Sequence, residues 1–163
     1  MINSSVFKTV ALVALVSVAG ACQAGSLELV VGKRLSAQEL EQYASAPTVA
    51  LESQSFKVLA TSTRTTAADA TSGAVTQVIN ENGVVGESRN NVVVSQVSVD
   101  RVKQAAARLS PMPVSAQYYG HINISTLHFA SFQAAVNART QLKKALPQAR
   151  VDVPIQYAKP VVR

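Results

Sequence analysis

Residues 122–157, INISTLHFASFQAAVNARTQLKKALPQARVDVPIQY, read as strand, helix and strand in succession. Ile122 to Phe129 is rich in the β-branched and aromatic residues that suit a pleated, half-buried surface. Ser131 stands where an N-cap hydroxyl accepts a first-turn N–H. Behind it, Phe132, Ala135, Val136, Leu142, Ala145 and Leu146 recur at helical spacing, and Asn137, Arg139, Gln141, Lys143 and Lys144 hold the opposite face. Pro147 stops the helix. Val151, Val153, Ile155 and Tyr157 then alternate with Arg150, Asp152 and Gln156, the period of a strand with one buried face. Pro154 removes a ladder donor and favours an edge or a bulge.

The same grammar extends upstream. Asn91 to Val99 (NVVVSQVSV) reads as a strand. Ser98 can cap a helix from Val99 to about Leu109, with Val99, Val102, Ala106 and Leu109 on one face and Asp100, Arg101, Lys103 and Arg108 elsewhere. Pro111 and Pro113 end it, and Val114 to Tyr119 makes a strand before Gly120. Residues 91–157 therefore have the β-α-β-β-α-β order of a ferredoxin-like α+β fold, an antiparallel sheet with two main helices on one face. The competing reading joins Val114 to Phe129 into one long bent strand of a meander.

Residues 27–90 add strands, a short helix and a hairpin. Leu27 to Val31 reads as a strand. Ser36-Ala37-Gln38-Glu39 has the Ser-x-x-Glu form of a capping box opening a helix from Ala37 to about Ala44. Thr48 to Leu51 and Ser55 to Leu59 are short strands. Residues 60–74 (ATSTRTTAADATSGA) are small and polar, a flexible loop or the tip of a long hairpin. Val75 to Ile79 leads into Asn82-Gly83, a strong hairpin signal, and the return from Val84 is interrupted between Gly86 and Asn90.

The first two dozen residues carry an address. Met1 to Lys8 is short with one positive charge, Thr9 to Ala21 is apolar, and Ala19-Gly20-Ala21 is a small-residue cleavage pattern directly before Cys22. This is the order of parts of an export signal, and its apolar run falls short of the roughly 20 residues a membrane span needs. The resulting scheme is a cleaved signal at 1–21, a short tether at 22–26, and one α+β domain at 27–163 ending in a tail at 158–163. Cys22 is the lipidation candidate. Cleavage before it would make an outer-membrane lipoprotein held to the membrane by the acylated cysteine, and an ordinary cut after Ala21 or Ala24 would make a periplasmic or secreted protein. Cys22 is the only cysteine, so no intramolecular disulfide is available. Removing residues 1–21 takes away one lysine and leaves 142 residues with net charge +5, enough for one sizeable core.

Chemistry-bearing motifs are sparse. His121 and His128 are seven apart, so a regular strand places them on opposite faces, and no Cys, Asp or Glu lies between Ser110 and Arg150 to join them around a metal. There is no Gly-x-Ser-x-Gly elbow and no phosphate-cradling glycine loop. We therefore expect no catalytic, cofactor or metal site and no enzyme activity. Arg139 and Lys143 stand one turn apart with Lys144 beside them, and Arg150 can add to this basic stripe as a polyanion contact. The alternative is a solvated helix end complementing the helix dipole.

Val94-Ser95-Gln96-Val97-Ser98 and Phe129-Ala130-Ser131-Phe132, within residues 91–157, resemble parts of SPOR domains, which bind bacterial peptidoglycan. The usual Gln-x-Gly of that family is Gln96-Val97-Ser98 here. The resemblance implies a ligand class rather than membership. The expected function is a non-enzymatic envelope or secreted binding protein whose partner is peptidoglycan or another envelope protein, with no intracellular nucleic acid involved. The alternatives are a small exported inhibitor, propeptide-like or immunity-type protein, and a hydrolase built from dispersed residues.

Overall fold

The computed structural model describes residues 29–64 and 73–158. The expected signal, Cys22, the tether and residues 159–163 of the tail lie outside them, as does the middle of the polar loop. The chain is α+β, with three helices and two four-stranded antiparallel sheets.

The N-terminal sheet has the order β1-β2-β3-β4: β1 Thr48–Leu51, β2 Gln54–Arg64, β3 Gly73–Ile79 and β4 Val85–Ser88. The capping box forms as read, with Glu39 N–H donating to Ser36 Oγ and Ser36 N–H to the Glu39 carboxylate. Its helix α1 is shorter than expected, Ala37–Glu41, and buries none of its residues. Its apolar contact is limited to the half-buried Leu40, with Tyr43 just beyond it, which gives little packing to extend it. Residues 29–31 are not strand, contrary to the expectation for Leu27 to Val31. The polar loop is also narrower than 60–74, because β2 continues to Arg64 and pairs with β3 from Gly73. Small polar residues remain compatible with a ladder when a partner strand satisfies their backbone. Between β3 and β4, Asn80 Oδ1 accepts from Asn82 and Val84 N–H, and Gly83 takes the left-handed conformation at φ 72°. Five residues connect the strands, and Asn80 N–H donating to Val84 O closes a three-residue loop within them rather than a two-residue Asn-Gly turn.

The C-terminal sheet has the order β6-β7-β5-β8: β5 Asn91–Ser95, β6 Ser115–Tyr119, β7 Ile124–His128 and β8 Arg150–Asp152. Helix α2, Val99–Ala106, follows β5, and helix α3, Phe132–Ala145, follows β7. A short 3-10 turn, Gly120–Ile122, and Asn123 at φ 51° separate β6 from β7, which pair with each other. A single bent strand is thereby ruled out. The interruption expected at 86–90 shrinks to a corner at Arg89 and Asn90, because Gly86 to Ser88 pair with β3. Asn90 at φ 56° turns the chain from one sheet into the other. Beyond Pro154, the last strand crosses the same way: Val93 pairs with Asp152 in β8, and Gln156 bridges to Glu87 of β4.

One core joins the halves. Val92, Val94, Leu127 and Val151 of the C-terminal sheet pack with Val102, Phe132, Ala135 and Leu142 of the helices, and Val49, Phe56 and Val78 of the other sheet belong to the same cluster. Phe56 meets Phe132 edge-on, ring centres 6.0 Å apart. A smaller cluster of Leu35, Ile79 and Val85 lies under α1. Ala145, read as core, is exposed at the end of α3.

Candidate functional site

The strand period that buries Val92, Val94, Leu127 and Val151 turns the alternate residues to the other face of the C-terminal sheet. Register aligns them in three cross-strand rows. Ser115, His128 and Asn91 form the first. Gln117, Thr126, Val93 and Asp152 form the second, and Tyr119, Ile124, Ser95 and Arg150 the third. Val93 and Ile124 belong to neither core cluster, and no helix of the described residues lies across this face. With strands about 4.8 Å apart, the rows span about 14 Å.

Hydrogen bonds pre-arrange part of this surface. His128 Nδ1 and Asn91 Oδ1 are 2.6 Å apart, and a carboxamide oxygen only accepts, so His128 Nδ1–H donates to Asn91 Oδ1. Tyr119 O–H donates to Gln117 Oε1 at 2.9 Å, leaving the Gln117 amide N–H groups for a ligand. Arg150 Nε donates to Asp152 Oδ2 at 2.7 Å. The result is a mostly neutral face of hydroxyls and amides, with one aromatic ring and one ion pair at its β8 edge. Such groups bind hydroxyl-rich or amide-rich chains by hydrogen bonds rather than by ring stacking.

The basic stripe is distributed differently from its reading in sequence. Arg139 is buried, 7% exposed; its Nε donates to Val151 O and its Nη2 to Glu52. Lys143 Nζ donates to the same Glu52 at 3.0 Å. The two cations thus converge on a carboxylate of this chain, at the β1–β2 turn where Glu52 has φ 57°. The hydrogen bonds from Lys143 and then Arg139 hold the Glu52 carboxyl below its ordinary range. Lys144 is exposed on the neighbouring helix surface, and Arg150 lies on the open sheet face against Asp152. No local pattern marks Glu52, because its partners follow 87 and 91 residues later.

His121 is exposed on the 3-10 turn, whereas His128 lies in β7. Among the described residues no three His, Cys, Asp or Glu side chains are grouped to hold a metal ion, and no helix is long and apolar enough to cross a membrane. No protein-family model matches the chain, and no curated protein or solved structure is similar to it.

Proposed function

We propose that the protein is a non-enzymatic binding module of the bacterial envelope, exported by its N-terminal segment, and that an extended polar chain lies across the open face of the C-terminal sheet. The observation that carries this reading is the three-row array itself: hydroxyl and amide side chains from β5, β6 and β7, flanked by the Arg150–Asp152 ion pair of β8, on a face that no helix of the described residues covers. The antiparallel order β6-β7-β5-β8, with α2 and α3 on the opposite side, supports a ferredoxin-like arrangement for residues 91–152. That arrangement leaves one sheet face for a ligand because both helices are spent on the other. Peptidoglycan, with hydroxyls and peptide amides along one polymer, matches the chemistry of the face.

The test is co-sedimentation of the full-length protein with purified sacculi, with envelope extract as a parallel arm. Binding to sacculi that falls about thirtyfold in a Gln117→Ala, Thr126→Ala double variant supports the proposal, since each change removes hydrogen bonds of roughly 1 kcal/mol. Retention only from the extract, again lost in the double variant, replaces the glycan by a protein partner. No retention in either arm, or retention indifferent to the double variant, overturns the site.

A further inference from the structure

Helices α2 and α3 pack side by side over the inner face of the C-terminal sheet and leave between them an open cleft of about 270 Å³. Arg101, Gln104, Ala105 and Arg108 line it from α2 and the turn that ends it. Their spacing, i, i+3, i+4 and i+7, puts them along one side. Gln141 and Ala145 line it from α3. Alanines at 105 and 145 open the groove, since larger side chains there would fill it. The Gln141 side chain is fixed: its Oε1 accepts from Ser110 N–H at 3.2 Å and its Nε2 donates to Ser110 O at 2.7 Å. One amide hydrogen of Gln141 is left over, and Gln104 is exposed.

The charge in this cleft is uncompensated. No Asp or Glu lines it. Neither Arg101 nor Arg108 forms an ion pair among the described residues, whereas Lys103, Arg139, Lys143 and Arg150 are engaged. Lys103 reaches Asp100 at 3.9 Å and the Tyr118 ring at 5.3 Å, Arg139 and Lys143 hold Glu52, and Arg150 holds Asp152. Arg101 on α2 and Arg108 in the turn that ends it both line the cleft, seven residues apart in sequence. A guanidinium binds phosphate or carboxylate through paired N–H donors, and the amides of Gln104 and Gln141 line the same cleft.

We propose that the α2–α3 cleft is a binding site for a linear polyanion, a chain whose repeated phosphate or carboxylate groups meet Arg101 and Arg108 together while its backbone oxygens meet Gln104 and Gln141. The site lies on the side of the sheet opposite the open face, so it stands or falls independently of ligand binding there. Its cations are also distinct from the Arg139–Lys143 pair.

The test titrates full-length protein with long-chain polyphosphate in one arm and with polygalacturonate in the other, at low and at physiological salt. We expect saturable, salt-weakened binding in at least one arm, and the arm that binds names phosphate or carboxylate as the source. Arg108→Gln should weaken it about tenfold, and Arg101→Gln with Arg108→Gln should weaken it further. Lys144→Gln removes the same charge from outside the cleft and should leave binding within about twofold. Unchanged thermal midpoints establish that the variants fold. No binding in either arm overturns the proposal, as does an equal loss in Arg108→Gln and Lys144→Gln, which would mark diffuse attraction to a basic surface.

Discussion

The C-terminal sheet carries its own helices on its inner face, whereas the N-terminal sheet completes its packing against a helix that belongs to the other half. α1 buries no residue, and the cluster beneath it contains only Leu35, Ile79 and Val85 as fully packed members. Val49, Phe56 and Val78 instead enter the large core around α3. At the rim of that contact, Glu52 reaches from the β1–β2 turn to Arg139 and Lys143. The halves share one core, with an asymmetric dependence. The C-terminal elements can cover their sheet face locally, and the N-terminal strands borrow their cover.

Phe132 ties the two halves together most directly, because it is fully buried and touches Phe56. Phe132→Ala should cost about 3–5 kcal/mol, the range for aromatic truncation in a core. Urea unfolding should remain a single transition at lower midpoint, because both sheets lose the same contact. Two separated transitions would show that the N-terminal sheet stands alone.

Arg139→Ala probes the polar rim. It removes charged hydrogen bonds to Val151 O and to Glu52, and the loss should be about 2 kcal/mol. Chemical denaturation checks the value. A change within experimental error would mean that the buried guanidinium adds nothing to the docking of the N-terminal sheet.

The two helices of the C-terminal half offer a paired test of capping. Ser131 Oγ accepts from Ala134 N–H at 3.2 Å, whereas Ser98 forms no side-chain cap bond. Ser131→Ala should destabilise by about 1 kcal/mol, and Ser98→Ala should be close to neutral. Equal losses in thermal denaturation would contradict the geometric difference between the two N-termini.

Lys33 and the Ser36 backbone lower the Glu39 carboxyl from 4.5 to about 2, and Glu52 is lowered by Lys143 and Arg139. A carboxyl whose folded pKa lies below its unfolded one stabilises the fold fully above the unfolded value. That contribution is lost as pH falls through the folded value. The thermal midpoint should therefore decline between about pH 4.5 and pH 2. The decline should be modest because both carboxylates are solvent-exposed and screened. Glu52→Gln should flatten part of this acid limb, and an unchanged limb in both Glu52→Gln and Glu39→Gln would remove these groups from the account.

Local periodicity carried much of the architecture into the sequence. The capping box at Ser36, the N-cap at Ser131, the apolar spacing through Phe132, Val136 and Leu142, and the alternation at Val151 and Val153 depend on neighbours within a few residues. The chemistry of the helix or strand itself dictates them. The open sheet face was only partly legible, because alternation says which residues share a face but not which strands stand beside them. Arg139 shows the limit most sharply. Its position on α3 reads as polar and solvated, yet it is buried once β8 and the β1–β2 turn close over it.

What the sequence determined by itself is the set of helices and strands in the C-terminal half. Only the tertiary structure decided the pairing of Glu52 with Arg139 and Lys143, the extension of β2 to Arg64, the corner at Asn90 and the uncompensated cleft between α2 and α3. Each of these joins residues far apart in the chain. Their contacts arise when strand register and helix packing bring the segments together, and register is a property of the assembled sheet rather than of any one strand.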